Sequence, residues 1–360
     1  MNNNIMKKKI FFVMNKLGGQ GWGGAHRVSV ILANYLFKKG YDVTIIVWLK
    51  SSVDYPIDEG VKVICLNFQN IKGKNRLKAC LKTRELIKGN RGASVFVLIS
   101  RMAVDVYIFS RFLGIYLIGS ERTDPNSEPK KKIYRIIRNI AFCFMNKTVY
   151  QTNDAKEYFP KMAQKKGTVI PNPLSPNLPK PFDGERKKQF VTFCRIDKQK
   201  NLPLMIDSFI ETHKKHPDFI LKIYGNGIIE REIREYIEKN NAQKYIILND
   251  FLKSIHNEVL DSYGFISSSN YEGMSNSMLE ALAIGLPCIC TDCPIGGAKM
   301  IIRDGVNGLL VPVKDKEAMV KAINRLIENP ELANRLSKEA IKIREKLDQD
   351  RICEEWEKLL

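Results

Sequence analysis

The pattern of apolar and polar positions predicts strands that alternate with helices along most of this chain. Short apolar runs bounded by polar residues, such as Lys8 to Met14 and Tyr263 to Ile266, predict buried strands. Stretches with apolar residues at helical spacing follow such runs, as in Ala25 to Lys39, and two further helices are predicted at 330–346 and 349–359. Strands that alternate with helices in this way indicate an α/β fold with parallel sheets.

Length and proline content divide the chain into parts. At 360 residues it is too long for one typical hydrophobic core, and two domains of ordinary size fit. Five prolines between 171 and 188 indicate a stiff linker. We therefore expect a first domain over 1–170, a second over 189–340, and a C-terminal helical segment over 341–360.

The excess of positive charge is confined to the first half. Residues 1–175 contain 30 Lys and Arg and 11 Asp and Glu, a net charge of +19, whereas residues 176–360 contain 28 of each. A basic half joined to a neutral half suggests that the first domain faces a polyanion. An anionic membrane surface, a phosphate-bearing acceptor and a nucleic acid all remain candidates.

The ends of the chain and its cysteines favour a cytosolic protein without a metal site. The apolar run Ile10 to Met14 is too short for the core of a signal peptide, and no stretch approaches the ~18 apolar residues of a spanning helix. The cluster Cys288-x-Cys290-x2-Cys293 lacks the second ligand pair of a zinc site, so we interpret these thiols as buried and inert. Asp348-Gln349-Asp350 matches a D-x-D metal motif but falls at a predicted helix start.

A glycine-rich loop follows the first strand. Residues 18–24 hold five glycines in seven positions between a strand and a helix, an arrangement that presents N–H groups to a phosphate. It is not a dinucleotide fingerprint, because the spacing differs and no acidic residue ends the second strand. A merely flexible turn is the alternative.

A second candidate site lies between a strand and a helix in the second half. Glu272 and Glu280 are eight positions apart, and Gly273 with the following helix N-terminus suits an anion. Together they suit a ligand with hydroxyls and phosphates, such as a nucleotide sugar. Ser277 to Glu280 also fits a capping box, in which Glu280 only closes the helix start.

The stretch 130–146 predicts a basic amphipathic helix. A broad apolar side accompanies cations that we expect to face an anionic membrane, while a core helix with a basic outer face is the alternative. These candidate membrane residues are Lys130, Lys131, Lys132, Arg135 and Arg138.

These motifs together resemble family 4 of the glycosyltransferases, and the similarity covers nearly the whole chain. The resemblance rests on the glycine loop, Ile170 to Pro173, Arg195 to Asn201, Glu272 to Glu280, and Asp304 to Pro312. It implies the GT-B architecture, in which two Rossmann-like domains with parallel sheets face each other across a cleft. It also implies that the last helix crosses back to the first domain. The loop departs from the usual pattern at His26, where a glutamate is common.

The resemblance assigns roles to individual residues. Arg195 and Lys200 match an Arg-x4-Lys pair that stabilises the leaving diphosphate, and with Glu272, which binds the transferred sugar, they are the catalytic candidates. The donor-binding candidates are Gly23, Gly24, Gly273, Met274, Ser275, Asn276 and Glu280. The candidates for contact with the acceptor or the sugar are Arg101, Glu121, Arg122 and Asp124. For Glu121, Arg122 and Asp124 a plain salt-bridged turn is the alternative.

The function implied is retaining transfer of a hexose or N-acetylhexosamine from a UDP-sugar to a polyprenyl-diphosphate-linked saccharide. Such bacterial enzymes assemble surface polysaccharides or lipid-linked oligosaccharides on the inner face of the plasma membrane. We expect no cofactor, no metal and no nucleic-acid partner. Two rival classes are another GT-B enzyme, such as a UDP-N-acetylglucosamine 2-epimerase, and a basic nucleic-acid-binding protein. The first should lack this Arg-x4-Lys and Glu-x7-Glu combination, and the second should carry aromatic stacking motifs.

Overall fold

The computed structural model describes residues 8–19 and 23–360, which form two compact units. Unit 1 takes in Met1–Pro173 together with Gln349–Leu360, and unit 2 is Leu174–Asp348. Each unit contains a parallel sheet and several helices. The predicted α/β class with two Rossmann-like domains is therefore confirmed.

Seven parallel strands form the sheet of unit 1 within the described residues. In chain order they are β1 (Lys9–Met14), β2 (Asp42–Leu49), β3 (Lys62–Phe68), β4 (Ser94–Val97), β5 (Tyr116–Glu121), β6 (Lys147–Tyr150) and β7 (Gly167–Val169). Their order in space is β3-β2-β1-β4-β5-β6-β7. Successive residues of β1 and β4 are buried, so both faces of the central strands are covered, as expected for a parallel sheet.

The helices of unit 1 include one from the C-terminal end of the chain. They are α1 (Gly24–Lys38), α2 (Gly73–Ile87), α3 (Ser100–Phe109), α4 (Lys132–Phe144), α5 (Asn153–Tyr158), α6 (Lys161–Lys165) and α15 (Gln349–Glu357). On α15, Trp356 is fully buried with its ring 6.1 Å from that of Phe96. The Glu357 carboxylate accepts hydrogen bonds from the hydroxyls of Tyr35 and Tyr41 at 3.2 and 3.1 Å.

Six parallel strands form the sheet of unit 2. They are β8 (Lys187–Phe193), β9 (Ile220–Tyr224), β10 (Ile246–Asn249), β11 (Ser262–Ser267), β12 (Cys288–Asp292) and β13 (Leu309–Pro312). Their order in space is β10-β9-β8-β11-β12-β13. The chain moves outward from β8 in one direction and from β11 in the other, so the sheet has its switch point between these two strands, where ligands of open α/β sheets bind.

The helices of unit 2 largely follow the predicted alternation. They are α7 (Leu202–Lys215), α8 (Glu230–Lys239), α9 (Ile255–Val259), α10 (Asn276–Ala283), α11 (Gly297–Ile301), α12 (Lys316–Glu328), α13 (Pro330–Ala340) and α14 (Ile343–Lys346). The helix predicted over 330–346 is thus two helices, and β8 begins two residues before the predicted Gln189. Among the described residues, no helix has both the length and the apolarity needed to cross a membrane.

Candidate functional site

The switch point of unit 2 brings together a lysine and a glutamate from two different loops. Lys200 follows β8 and Glu272 follows β11, and the Lys200 ammonium forms an ion pair with Oε1 of Glu272. Both side chains are nearly buried, with 12% and 14% of their surface exposed. The Ser269 hydroxyl donates to the same Glu272 oxygen at 2.9 Å. Two of the three predicted catalytic residues are therefore in direct contact.

Local hydrogen bonds give the loop after β8 its shape. Oδ1 of Asp197 accepts the amide of Gln199 at 3.0 Å and so begins a 3-10 turn over Lys198–Lys200. Asn201 ends the turn with a φ of 47°, a left-handed conformation that asparagine tolerates better than most residues. These two residues orient the Lys200 side chain at the end of the strand.

A glycine turn after β9 packs against the backbone of the loop after β8. A Cβ atom at Gly225 would lie 1.9 Å from the carbonyl oxygen of Cys194, and one at Gly227 would lie 2.0 Å from that of Ile196. The backbone of Ile196 also donates to the carbonyl of Asn226 at 2.8 Å. Side chains at either glycine would therefore push the Arg195 to Lys200 loop out of position.

The electrostatics of the pair favour the charged lysine. Burial acts to lower the pKa of the Lys200 ammonium, but the carboxylate of Glu272 attracts it and accepts its hydrogen bond, and the pKa lies above its ordinary value. Lys200 therefore stays a cation at neutral pH in a nearly dry position. A cation held in this way can stabilise negative charge that develops on a leaving group.

Gln199 connects this pair to Arg195, although the sequence assigned it no role. Its amide nitrogen donates to Oε2 of Glu272 at 3.1 Å and to the carbonyl of Tyr271 at 2.9 Å. Its amide oxygen accepts from Nη2 of Arg195 at 3.2 Å. Arg195 is half exposed and also pairs with Asp197 at 2.5 Å. The Arg195 to Asn201 motif contains Gln199, but only the structure shows that its two amide ends face the two charged candidates.

The predicted donor loop leads into the N-terminus of α10. Ser275 is the N-cap, and its hydroxyl accepts from the amide of Met278 at 3.5 Å. The first turn of a helix directs its N–H groups outward, which is favourable for an anion. A Cβ atom at Gly297 would lie 1.8 Å from the carbonyl oxygen of Gly273, so α11 packs directly on this loop and allows only glycine there.

Glu280 lies in the second turn of α10 and does not close a capping box. The cap is Ser275 rather than Ser277, and Oε2 of Glu280 lies 2.9 Å from Nε2 of His256 on α9. The capping-box interpretation is therefore wrong for this helix. His256 was not predicted, because a single histidine on a short helix carries no spacing signal.

In unit 1 the glycine-rich loop is described up to Gly19 and again from Gly23, and Gln20, Gly21 and Trp22 lie outside the described residues. Gly23 is the N-cap of α1 and Gly24 its first residue. The amide of Gly23 donates to Nδ1 of His26 at 3.2 Å, and Nε2 of His26 lies 2.5 Å from Oδ1 of Asn15. Burial lowers the pKa of His26 to about 4, so the ring is neutral at pH 7 and holds the loop to the end of β1.

The polar segment after β5 is a buried, hydrogen-bonded turn. Glu121 is 1% exposed and pairs with Nη1 of Arg138 at 3.0 Å, and Oδ2 of Asp124 accepts from the Ser127 hydroxyl at 2.6 Å. Arg122 is 9% exposed, and burial lowers its pKa to about 9. Arg101 is exposed in the first turn of α3. The structure thus describes the salt-bridged turn left open above, and acceptor contact at these four positions stays a prediction.

The predicted membrane cations divide into two groups. Lys130, Lys131 and Lys132 are exposed, and Arg135 is half-buried. Arg138 is 1% exposed, and its guanidinium also donates to the carbonyls of Pro125 and Glu128. The prediction that Arg138 faces a membrane is therefore wrong, because a buried carboxylate and two carbonyls hold it inside.

The cysteines near the site are protonated thiols. Burial raises the pKa values of Cys288, Cys290 and Cys293 above the ordinary value. A raised pKa disfavours the thiolate, which is the form that binds metals and attacks electrophiles. In the part of the chain that the structure describes, no group of three or more His, Cys, Asp or Glu side chains is placed to hold a metal ion.

Comparisons with known proteins agree with this geometry. Residues 177–343 match the family model described as "Glycosyl transferases group 1". Over 365 residues the chain is 28% identical to an uncharacterized glycosyltransferase of Haemophilus influenzae, covering 99% of this chain and 100% of that protein. It is 24% identical to the amylovoran biosynthesis glycosyltransferase AmsD of Erwinia amylovora, covering 94% of this chain and 96% of the relative.

A further relative is named for a lipid-linked acceptor. It is the Campylobacter jejuni enzyme "GalNAc-alpha-(1->4)-GalNAc-alpha-(1->3)-diNAcBac-PP-undecaprenol alpha-1,4-N-acetyl-D-galactosaminyltransferase". The chain is 26% identical to it over 368 residues, with 98% of each protein covered.

Solved structures match the fold over nearly the whole chain. Anabaena HepE in complex with UDP-glucose has a TM-score of 0.82 at 16% identity, covering 97% of this chain and 98% of that one. TarM has a TM-score of 0.82 at 15% identity, with 98% of each chain covered. The match to the group 1 family model, the full-length relatives and this fold together support a glycosyltransferase of the GT-B type.

Proposed function

We propose that this chain is a metal-independent, retaining glycosyltransferase of family 4. It transfers a hexose or N-acetylhexosamine from a UDP-sugar to a polyprenyl-diphosphate-linked saccharide. The observation that carries the proposal is the nearly buried Lys200–Glu272 pair at the switch point of unit 2, beside the N-terminus of α10. A cation, a carboxylate that can accept hydrogen bonds from hydroxyls, and the first amides of a helix follow one another at this edge of the sheet, which supports the proposal.

In this proposal each part of the UDP-sugar has a protein partner of matching chemistry. Lys200 and Arg195 stabilise the diphosphate, and the amides of Met274, Ser275 and Asn276 bind the sugar and phosphate oxygens. Glu272 accepts hydrogen bonds from hydroxyls of the transferred sugar. Glu280, oriented by His256, accepts them from the ribose.

The transfer step needs no side-chain nucleophile. The bond between the sugar C1 and the phosphate oxygen breaks, and its electron pair stays on the UDP. The acceptor hydroxyl forms its bond to C1 on the same face, and its proton passes to the departing phosphate oxygen. Retention follows because the incoming and leaving oxygens share that face.

The acceptor and the location are inferred from unit 1 and from relatives. The whole basic excess lies in residues 1–175, which suits a diphosphate-bearing lipid acceptor at an anionic membrane surface. The C. jejuni relative is named for an undecaprenol-diphosphate-linked acceptor, and AmsD for the synthesis of a polysaccharide. We therefore place the chain at the inner face of the plasma membrane as a peripheral protein.

A panel of nucleotide sugars tests the proposal. Incubation of the protein with each donor, with and without lipid-linked saccharides, should yield UDP and a sugar product of increased mass from one of them. UDP should also raise the melting temperature, whereas duplex DNA should not. A rise in melting temperature with DNA alone would count against a transferase. So would conversion of a UDP-sugar to its epimer without a transferred sugar product.

A further inference from the structure

Helix α4 exposes a continuous apolar side. Ile133, Ile136 and Ile140 are 55%, 45% and 55% exposed, and Phe144 at the end of the helix is 57% exposed. The opposite side of the helix is buried, as Ala141 shows at 3% exposure. Because a large apolar patch on a soluble surface marks a binding site, this side of α4 needs a partner.

A second apolar group projects from the loop between α3 and β5. Phe112 is 93% exposed, and its φ of 68° is in the left-handed region, which a bulky residue rarely adopts. Backbone strain costs free energy, exposure of the phenyl ring forgoes the gain from burial, and the Arg111 guanidinium 5.2 Å from the ring offsets only part of this. A residue that combines the two is held in place for an external contact.

Phe112 and α4 belong to one surface. Phe112 and Phe144 line the same depression of about 330 Å³, together with Arg111 and Leu117. The loop that carries Phe112 leads into the start of β5. Helix α4 begins beyond the end of β5 and ends just before the start of β6. The Phe112 end of the surface therefore lies at the N-terminal edge of the sheet, and Lys130 to Lys132 lie toward the C-terminal edge.

The exposed charges of this region have one sign. Between residues 100 and 147, Arg101, Arg111 and Lys130 to Lys132 are exposed, whereas none of the four acidic residues is. Three of those acids, Asp105, Glu121 and Asp124, are buried. An apolar surface whose own segment, residues 100–147, exposes cations and no acid is complementary to an anionic lipid bilayer.

We propose that Phe112 and the apolar side of α4 insert into an anionic bilayer, with Phe112 as the deepest point. We refer to Phe112, Ile133, Ile136, Ile140 and Phe144 as the insertion surface. The inference deepens the proposed peripheral location, because it adds hydrophobic insertion to attraction by the lysines. A second copy of the chain is the competing occupant, and the single sign of the charges disfavours it, since two such surfaces repel each other.

A tryptophan at the tip measures the depth of insertion. Phe112→Trp and the matched control Phe251→Trp, which replaces a 60% exposed phenylalanine of unit 2, are mixed with anionic vesicles that contain brominated acyl chains. The emission of the parent chain, which has three tryptophans, is subtracted. The added emission of Phe112→Trp should shift to the blue and be quenched, and that of Phe251→Trp should not. Vesicle-bound Phe112→Trp protein without quenching would overturn the proposal.

A second variant measures the contribution of the ring. Phe112→Ser should lower the partition coefficient into anionic vesicles by roughly tenfold to a hundredfold, the range expected for one phenyl side chain withdrawn from a membrane. An unchanged partition coefficient, or a dimer of the parent chain that Phe112→Ser dissociates, would also overturn it. Release of UDP from the nucleotide-sugar panel is measured in parallel, so that loss of insertion with intact transfer separates this inference from the proposed function.

Discussion

Replacing Lys200 by methionine tests the role of the ion pair, because methionine keeps an unbranched apolar stem of similar size and removes the charged end. In the variant, Glu272 keeps its hydrogen bonds from Ser269 and Gln199 but loses its counter-ion. We expect the variant to fold, with a lower free energy of unfolding and a much lower kcat. The two effects have different sizes and can be measured separately.

The size of each effect follows from the burial of the pair. Two unit charges at 4 Å attract by about 4 kcal/mol at an effective dielectric constant near 20, and desolvation of both groups offsets much of this. Removal of one partner of a fully buried pair costs about 3–5 kcal/mol. Since 12% of the Lys200 side chain and 14% of the Glu272 side chain remain exposed, we expect Lys200→Met to lower the free energy of unfolding by about 2–3 kcal/mol. Loss of one cation from the leaving diphosphate should lower kcat by a factor on the order of 10².

The assay compares five proteins. Urea unfolding and kcat with the best donor are measured for the parent, Lys200→Met, Glu272→Gln and the double variant, with Lys198→Met as the matched control. Lys198 lies in the same 3-10 turn but is exposed. The double variant should be more stable than the sum of the two single changes predicts, because neither charge is then left alone. A near-normal kcat for Lys200→Met, or an equal loss for Lys198→Met, would refute the role of Lys200 in leaving-group stabilisation.

Four further outcomes are expected. Arg195→Ala should lower kcat by a factor on the order of 10² with little effect on unfolding, since Arg195 is half exposed; an unchanged kcat would remove it from the mechanism. His256→Ala should raise KM for the donor more than it lowers kcat, because it releases Glu280, and His256→Gln should restore part of the affinity. Activity should survive excess EDTA, and a loss that Mg²⁺ or Mn²⁺ reverses would contradict metal independence. Finally, burial lowers the pKa of His26 from its ordinary 6.5 to about 4, so the unfolded chain binds a proton there before the folded chain does. The free energy of unfolding should therefore fall as the pH drops from 6.5 toward 4, by about 2 kcal/mol at pH 5. His26→Gln should abolish that share of the loss, as measured by thermal unfolding.

The sequence predicts those parts of the fold that depend on local patterns. The apolar runs of β1 and β11 identify buried strands, and Gly285, with a φ of 81°, follows the end of α10 as a helix-stop glycine should. The motif of Arg195 to Asn201 and the pair Glu272 and Glu280 point to the loops that the switch point of unit 2 then brings together. Both loops follow a strand of the same parallel sheet, so they must lie at the same edge of it, and the sequence is enough to predict that they meet.

Contacts between distant side chains are what the sequence leaves out. Gln199 and His256 orient candidate residues from 73 and 24 positions away in the chain, and neither carries a pattern of its own. The same limit explains the error at Arg138. Helical spacing places it near the exposed lysines, but the buried carboxylate of Glu121 that turns it inward is 17 positions earlier.

The inward Arg138 has a mechanical consequence for α4. One guanidinium joins the helix to Glu121 at the end of β5 and to the carbonyls of Pro125 and Glu128 in the turn that follows. Contacts from one side chain to both elements couple their motions, so a displacement of α4 would move that turn with it. Such a displacement would reach the C-terminal edge of the sheet of unit 1, and Arg138→Met, by removing these contacts, would uncouple the turn from the helix.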